Sequence, residues 1–479
     1  MKKIRKIVAL ALATVMMMAM SITAFAEEAT ASVTITNFPE SSEGATVNAY
    51  QIASVKDNEI EVVDWAKSAG FDKVATKDDT QEIEMTPEVA KKLAETFNQE
   101  TAGKPVTTKV TKGVATFTNL AAGAYFFTVA GNDDLDYNAM VAVTVKRDEN
   151  GNYVVKNAEL KAKSEPKKVQ KSEDDKYVTT KEDHVVTYTV STTVPFVKPK
   201  ETIEKKFAIC DKLVGGKYAV KDNGKLEVKI NVGGTDLDPR EVEIVDNGFE
   251  LNLNDLVVEN AHANEKVVLT YGAIATDVKM YNTAYSITPK HQSDDQFETT
   301  SVYAYTGKLI VEKVGENEEP LENAEFIIIK MDGDKELYAV LDKNNNNKFL
   351  SWTSNKEEAT PIVTKFNADK TAATASAFGF DVADNGEANT YYFEEVKAPN
   401  EWTINTEKKE AKFVIESSNY NSQQSADEEY VVTVKYQDSK LAQLPFTGGM
   451  GTTIFTVLGV AIMAMASALY FATKKKATK

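Results

Sequence analysis

Gly307-Lys308-Leu309-Ile310-Val311-Glu312-Lys313 sets the reading of the fold, because its Leu309 to Lys313 portion is a short run of strand-forming residues that starts just after a glycine. Similar runs occur at Ser32 to Asn37, Val141 to Val145, Val186 to Thr192 and Leu226 to Val232, with Gly, Asn and Asp between them. That spacing predicts an all-β chain of tandem immunoglobulin-like β-sandwiches. One helix is expected to interrupt the first of them. Thr86 can cap it, Pro87 suits its first turn, and Val89, Leu93 and Phe97 recur every fourth residue to line one face.

The chain has 479 residues, too many for one hydrophobic core. Polar stretches that lack periodicity, Lys161 to Lys168 and Thr288 to Gly307, divide it into expected domains at 27–162, 163–303 and 304–440. A net charge of -17 argues against nucleic acid or an anionic membrane surface as partner. Cys210 is the single cysteine, so no intramolecular disulfide can form and any covalent staple must come from other chemistry. His184, His262 and His291 are scattered rather than spaced as metal ligands, and Asn344 to Asn347 lacks the glycine and terminal glutamate of a calcium loop. No metal or cofactor is expected, and no Ser/His/Asp or Cys/His nucleophile pattern stands out.

Both ends read as processing signals. Lys2, Lys3, Arg5 and Lys6 precede an apolar core from Ile7 to Ile22, and Ala24-Phe25-Ala26 forms an A-x-A cleavage site, so residues 1–26 are expected to be a signal peptide cut after Ala26. A retained N-terminal anchor is the alternative. The other end, 444–479, carries Leu444-Pro445-Phe446-Thr447-Gly448, an apolar run over 452–471, and Lys474 to Lys476. About 20 residues at 1.5 Å each cross a hydrocarbon core of ~30 Å, and the lysines favour the cytoplasmic side. The LPFTG segment would then be held just outside the membrane. This tail resembles the sortase cell-wall sorting signal of Gram-positive surface proteins.

A second resemblance covers the last domain. Gly307 to Lys313, Leu321-Glu322-Asn323-Ala324-Glu325-Phe326 and Tyr391-Tyr392-Phe393-Glu394-Glu395-Val396-Lys397-Ala398-Pro399 look like the Cna B-type domains of Gram-positive pilins. In that family a first-strand lysine condenses with a last-strand asparagine, promoted by a glutamate. The resemblance implies Lys313 as nucleophile and Glu395 as the proton-carrying acid. At the asparagine position, counting back from Leu444 without a gap, stands Asp438, which would lose water rather than ammonia. The chemistry is sound in general terms, since burial lowers a lysine pKa, frees the amine to attack, and raises the pKa of a neighbouring carboxyl.

The middle domain is similar to pilin middle domains through Val185 to Val190, Ile209-Cys210-Asp211-Lys212-Leu213 and Tyr281-Asn282-Thr283-Ala284-Tyr285. That likeness implies Lys171 as nucleophile, with Lys168 as its alternative, Asp211 as acid and Asn282 as acceptor. The first domain has a family-like turn in Val114 to Tyr125 but no lysine on its opening strand Ser32 to Thr36, so no internal bond is expected there.

The resemblance further implies a sortase that cleaves between Thr447 and Gly448 and passes the acyl group to a lysine of the next copy. Lys163 is the first choice for that acceptor, with Lys161 and Lys200 as alternatives. The expected role is a non-enzymatic shaft subunit of a cell-wall-anchored fimbria, reacting once with itself. Its expected partners are sortase, further copies of itself, accessory pilins, peptidoglycan and, at the surface, host ligands. A monomeric wall-anchored adhesin and an accessory base or tip pilin are the alternatives. A surface enzyme would need a catalytic cluster, and none is visible.

Overall fold

The computed structural model describes residues 30–71, 85–198, 200, 202–293, 299–415, 428–440 and 450–476. Ala26 and Leu444 to Gly448 lie outside the described residues.

Strands dominate, and the period-two alternation of side chains decides what each of them buries. In the N-terminal part, Thr30–Thr36 lies between Ala158–Lys161, its parallel neighbour, and Ala115–Ala121, its antiparallel one. A second sheet is ordered Glu59–Val62, Thr46–Lys56, Gly123–Ala130, Met140–Val143. Between the two sheets sit Val33, Ile35, Val47, Phe117, Tyr125 and Phe127. The intervening Ala124 and Phe126 face the other way, toward Leu93 of the helix Pro87–Thr96. Thr86 caps that helix by accepting from the Val89 amide at 3.3 Å, and Phe97 closes it while packing edge-on against Trp65 and Tyr50. The expected helix is therefore present and covers one sheet.

The middle part stacks a sheet containing Gln170–Glu173, Val186–Thr193 and Lys266–Ala275 on one containing Ala208–Val214 and Lys279–Ile287. Alternation sends Ile209, Leu213, Met280 and Ala284 into the core with Val186, Tyr188 and Val190. Cys210 points to the opposite face, against Ala208 and Ile287, and burial pushes its thiol up to about 11.

The C-terminal part is one extended sheet in which Gly307–Val314 pairs in parallel with Val431–Gln437 and antiparallel with Ala373–Phe380. Leu309, Val311, Phe326, Ile328, Phe393 and Tyr436 fill its core. The parts are joined by polar contacts. Asn264 donates to the Ala162 carbonyl at 2.9 Å and accepts from Ser164 at 2.8 Å, while Thr180 donates its hydroxyl to the Phe349 carbonyl at 2.7 Å and its amide to Gly379 at 3.1 Å.

A 27-residue helix, Met450–Lys476, ends the described chain. Its described side chains, 455–470, include exposed Phe455, Val457, Leu458, Ile462, Met463 and Leu469. Counting described residues only, no helix is long and apolar enough to cross a membrane, and the expected 452–471 span extends past the described side chains at both ends.

Gly215 follows the strand Ala208–Val214 at φ +72, and a Cβ there would stand 2.0 Å from the Lys279 carbonyl oxygen. Backbone on both sides prevents relief. Gly215→Ala is expected to cost about 3 kcal/mol, read as a lowered urea midpoint relative to wild type.

Candidate functional site

Two lysines are buried in β cores, each against carboxyl groups. Lys313 follows Leu309 and Val311 at two-residue spacing on the strand Gly307–Val314, so the alternation that buries those residues buries it too, at 0% exposure. Its parallel partner is Tyr436, also at 0%, and two residues further the same face presents Asp438. The Asp438 amide donates to the Val314 carbonyl at 3.0 Å and so continues the pairing one step past the strand. Lys313 Nζ contacts Asp438 Oδ1 and lies 2.9 Å from Glu395 Oε1, with all three side chains shielded from solvent. Phe326 and Tyr436 place their rings 5.6 Å from the amine.

Glu395 comes from Thr390–Lys397, where Tyr391 and Phe393 are buried on the same face. Burial raises its carboxyl pKa, against the opposing pull of the Asn405 amide, which donates to Oε2 at 2.8 Å, and of Lys313. Asp438 Oδ2 has no hydrogen-bond partner. The arrangement presents an amine, a carboxyl carbon and an acid in one dry space, as amide condensation requires.

The middle cluster is built across the two sheets. Lys171, on Gln170–Glu173, reaches inward until its side chain is fully shielded, and Nζ donates to Asp211 Oδ2 at 2.6 Å and to the Tyr271 hydroxyl at 2.6 Å. Desolvation lowers the Lys171 pKa, with Asp211 opposing. Asp211 lies between Ile209 and Leu213 on the inward face, and Tyr218 donates to its Oδ1 at 2.7 Å. Asn282, at 0% exposure, donates from Nδ2 to the Tyr271 hydroxyl at 3.4 Å, while its Oδ1 has no partner. Lys171, Asp211 and Asn282 are thus brought together around a tyrosine that the sequence did not single out. Lys168 points elsewhere, 3.9 Å from Asp134.

Lys161, Lys163 and Lys200 are all exposed. Lys163 lies between the strands Ala158–Lys161 and Ser164–Pro166, with its amine 4.6 Å from the Phe196 ring centroid. Among the described residues 30–162 no lysine is buried. The three histidines stand apart, each beside a carboxylate: His184 with Asp175 at 3.3 Å, His262 with Glu265 at 2.9 Å, and His291 with Asp136 at 3.8 Å. Among the described residues no His, Cys, Asp and Glu side chains gather as metal ligands.

Glu395 also sets a pH dependence. The folded chain holds this proton above the ordinary 4.5 of an unfolded glutamate, so stability from the group is full below that value and is lost as pH rises through the raised one. Lys313→Ala removes the cation that pulls the value down, which widens the window upward and leaves the buried Asp438 carboxyl without its lysine partner. The variant is expected to lose about 3–5 kcal/mol at pH 7 and to regain part of it at pH 5, seen as a higher melting temperature in the more acidic buffer.

Two segments of the chain match known family models. Residues 436–478 match the LPXTG cell wall anchor motif and residues 307–430 the SpaA prealbumin-like fold domain. No curated protein matches the chain in sequence. Among solved structures, the chain is similar to the full-length major pilin SpaD of Corynebacterium diphtheriae at 16% identity and TM-score 0.43, covering 88% of this chain and 100% of that one. It is similar to the T6 backbone pilin of Streptococcus pyogenes at 15% and 0.40, with the same coverage of 88% and 100%. The major pilin RrgB of Streptococcus pneumoniae is similar at 13% and 0.41, over 83% of this chain and 93% of that one. The chain therefore carries a prealbumin-like fold domain of the SpaA family at 307–430 and, at 436–478, the LPXTG cell wall anchor motif of a surface protein attached to the wall.

Proposed function

We propose that the chain is the shaft subunit of a covalently polymerised, cell-wall-anchored fimbria, built as three sandwiches divided near 162 and 303. The observation that carries this reading is the pair of fully shielded lysines, Lys171 and Lys313, each packed against a carboxyl group beside a condensable side chain. A buried ammonium on a surface protein costs several kcal/mol that an apolar residue would avoid, so its presence twice calls for a purpose beyond packing. Condensation removes the charges. Lys313 would join Asp438 with loss of water, and Lys171 would join Asn282 with loss of ammonia.

Such bonds would suit a fibre under shear, since force would run through an amide instead of ladder hydrogen bonds. They would also restrict the unfolded chain by a few kcal/mol, as a long-loop disulfide does. Export through residues 1–26, arrest at 452–471 and cleavage after Thr447 by a sortase would deliver the acyl group to the next copy. Lys163 is the preferred acceptor because it is exposed and sits where the N-terminal sheet hands over to the middle part. Peptidoglycan would take the final transfer. Accessory pilins and a host ligand complete the partners of this role.

The intact mass of Glu27 to Lys440 is expected to be short by one ammonia and one water. Lys171→Ala should restore only the ammonia and Lys313→Ala only the water; a full-length mass in folded wild type would remove the covalent shaft and favour a monomeric adhesin. Co-expressed with its sortase, the wild type is expected to give a ladder of covalent polymers on a denaturing gel. Lys163→Ala should reduce it to monomer, and a persisting ladder would move the acceptor to Lys161 or Lys200.

A further inference from the structure

We propose that the Tyr271 hydroxyl is a catalytic group of the middle-domain condensation, relaying the proton that the departing Asn282 nitrogen needs. The inference rests on the Lys171–Asn282 reaction proposed above and adds a residue to it.

The proton inventory creates the need. A lysine ammonium and an asparagine amide give a secondary amide and an ammonium ion: the Nζ–Cγ bond forms, the Cγ–Nδ2 bond breaks, and two protons must pass from Nζ to the departing nitrogen, one of them before it can leave. An amide nitrogen does not leave unprotonated. Asp211 is placed to take the proton from Lys171, with Oδ2 at 2.6 Å from Nζ. The hydrogen bond from Asn282 Nδ2, however, goes to Tyr271 at 3.4 Å and not to Asp211. Tyr271 itself donates to Asp211 Oδ2 and accepts from Lys171 Nζ at 2.6 Å.

One hydroxyl therefore touches the nucleophile, the acid and the leaving nitrogen. In the ground state Nδ2 is a donor. Once Lys171 has attacked, the nitrogen becomes pyramidal and basic, and the same contact reverses direction. Tyr271 then gives its proton to Nδ2 and takes one from protonated Asp211, so ammonia departs; the second Nζ proton passes to the freed Asp211 carboxylate and on to that ammonia, which leaves as ammonium and returns both side chains to their starting states. Full burial raises the tyrosine pKa well above 10.0, which keeps the hydroxyl protonated and available as a donor. The ring is fixed for this task, edge-on to Phe249 at 5.0 Å and 6.0 Å from Tyr188.

Tyr218 provides the comparison. It also donates to Asp211, at 2.7 Å to Oδ1, but contacts neither Lys171 nor Asn282, so it is a positioning residue. The test follows ammonia loss by intact mass at successive times after cell-free synthesis of the secreted chain, at several pH values between 6 and 8. The variants are Tyr271→Phe, Tyr218→Phe and Lys171→Ala, and circular dichroism checks that each is folded. Phenylalanine keeps the ring contacts.

Tyr271→Phe is expected to slow ammonia loss by about 10²-fold or more, the usual worth of a positioned proton donor. Its residual rate should rise as pH falls, because solvent must now supply the proton, whereas wild type and Tyr218→Phe keep a common, flatter profile. Tyr271→Phe reacting at the wild-type rate, or both tyrosine variants slowed alike with the wild-type profile, would overturn the relay while leaving the Lys171–Asn282 bond in place. A wild type that never loses ammonia, and so matches Lys171→Ala, would instead overturn the bond itself.

Discussion

An ammonium group inside a β-sandwich core is the constraint on which the rest of this molecule depends. Desolvating a lysine costs several kcal/mol after relaxation, and a carboxylate neighbour repays that only with good geometry. At Lys313 the geometry is supplied by strand register. Parallel pairing sets Lys313 opposite Tyr436, and the period of two carries Asp438 onto the same inward face. A slip of one residue would turn Asp438 out to solvent and strand the amine, so the ionic cluster and the pairing of the two end strands define each other.

The two clusters would resist force in different ways. Lys313 and Asp438 tie neighbouring strands of one sheet, Gly307–Val314 and the continuation of Val431–Gln437. Lys171 and Asn282 belong to different sheets, so a bond between them would pin the faces of the sandwich together. The N-terminal part has the same parallel pairing of its end strands, Val33 opposite Ala158 and Ile35 opposite Leu160, but apolar residues fill its inward positions. Load there falls on hydrogen bonds alone. That part is the one expected to open first under tension or proteolysis.

The strand class and the capped helix were legible because each is a local property: two-residue alternation, a Thr-Pro start, apolar residues every fourth position. Lys313, Glu395 and Asp438, like Lys171, Asp211 and Asn282, entered the reading only through the resemblance of short motifs to a known family, and each trio lies together in the fold. Tyr271 and Tyr218 did not enter it. The chain has 19 tyrosines, and in a strand such a residue is ordinary filling. Only the stacking of two sheets brings the Tyr271 hydroxyl against Lys171, Asp211 and Asn282, and sequence spacing carries no record of a distance across a sandwich. Asn405 escaped notice similarly, since it acts on Glu395 through its backbone amide, a group every residue but proline possesses.

If the proposed condensations occur, the difference between the acceptors would account for a tyrosine hydroxyl in one cluster and not in the other. Condensing an ammonium with a carboxylate yields an amide and water, and both protons that the oxygen needs are already on the lysine. Lys313 Nζ touches Asp438 directly, so those protons have no gap to cross. The Tyr436 hydroxyl beside that cluster is engaged instead with the carbonyls of Phe393 and Glu407. With an asparagine acceptor the leaving atom is a nitrogen, and the hydrogen bond of Asn282 Nδ2 goes to Tyr271 rather than to Lys171 or Asp211, so in the proposed reaction its protons would pass through another group. In the middle domain that gap between Asp211 and Asn282 is the one Tyr271 spans. On the proposed reactions, an aspartate acceptor with Glu395 beside it would need no tyrosine relay, whereas the asparagine acceptor in this geometry would.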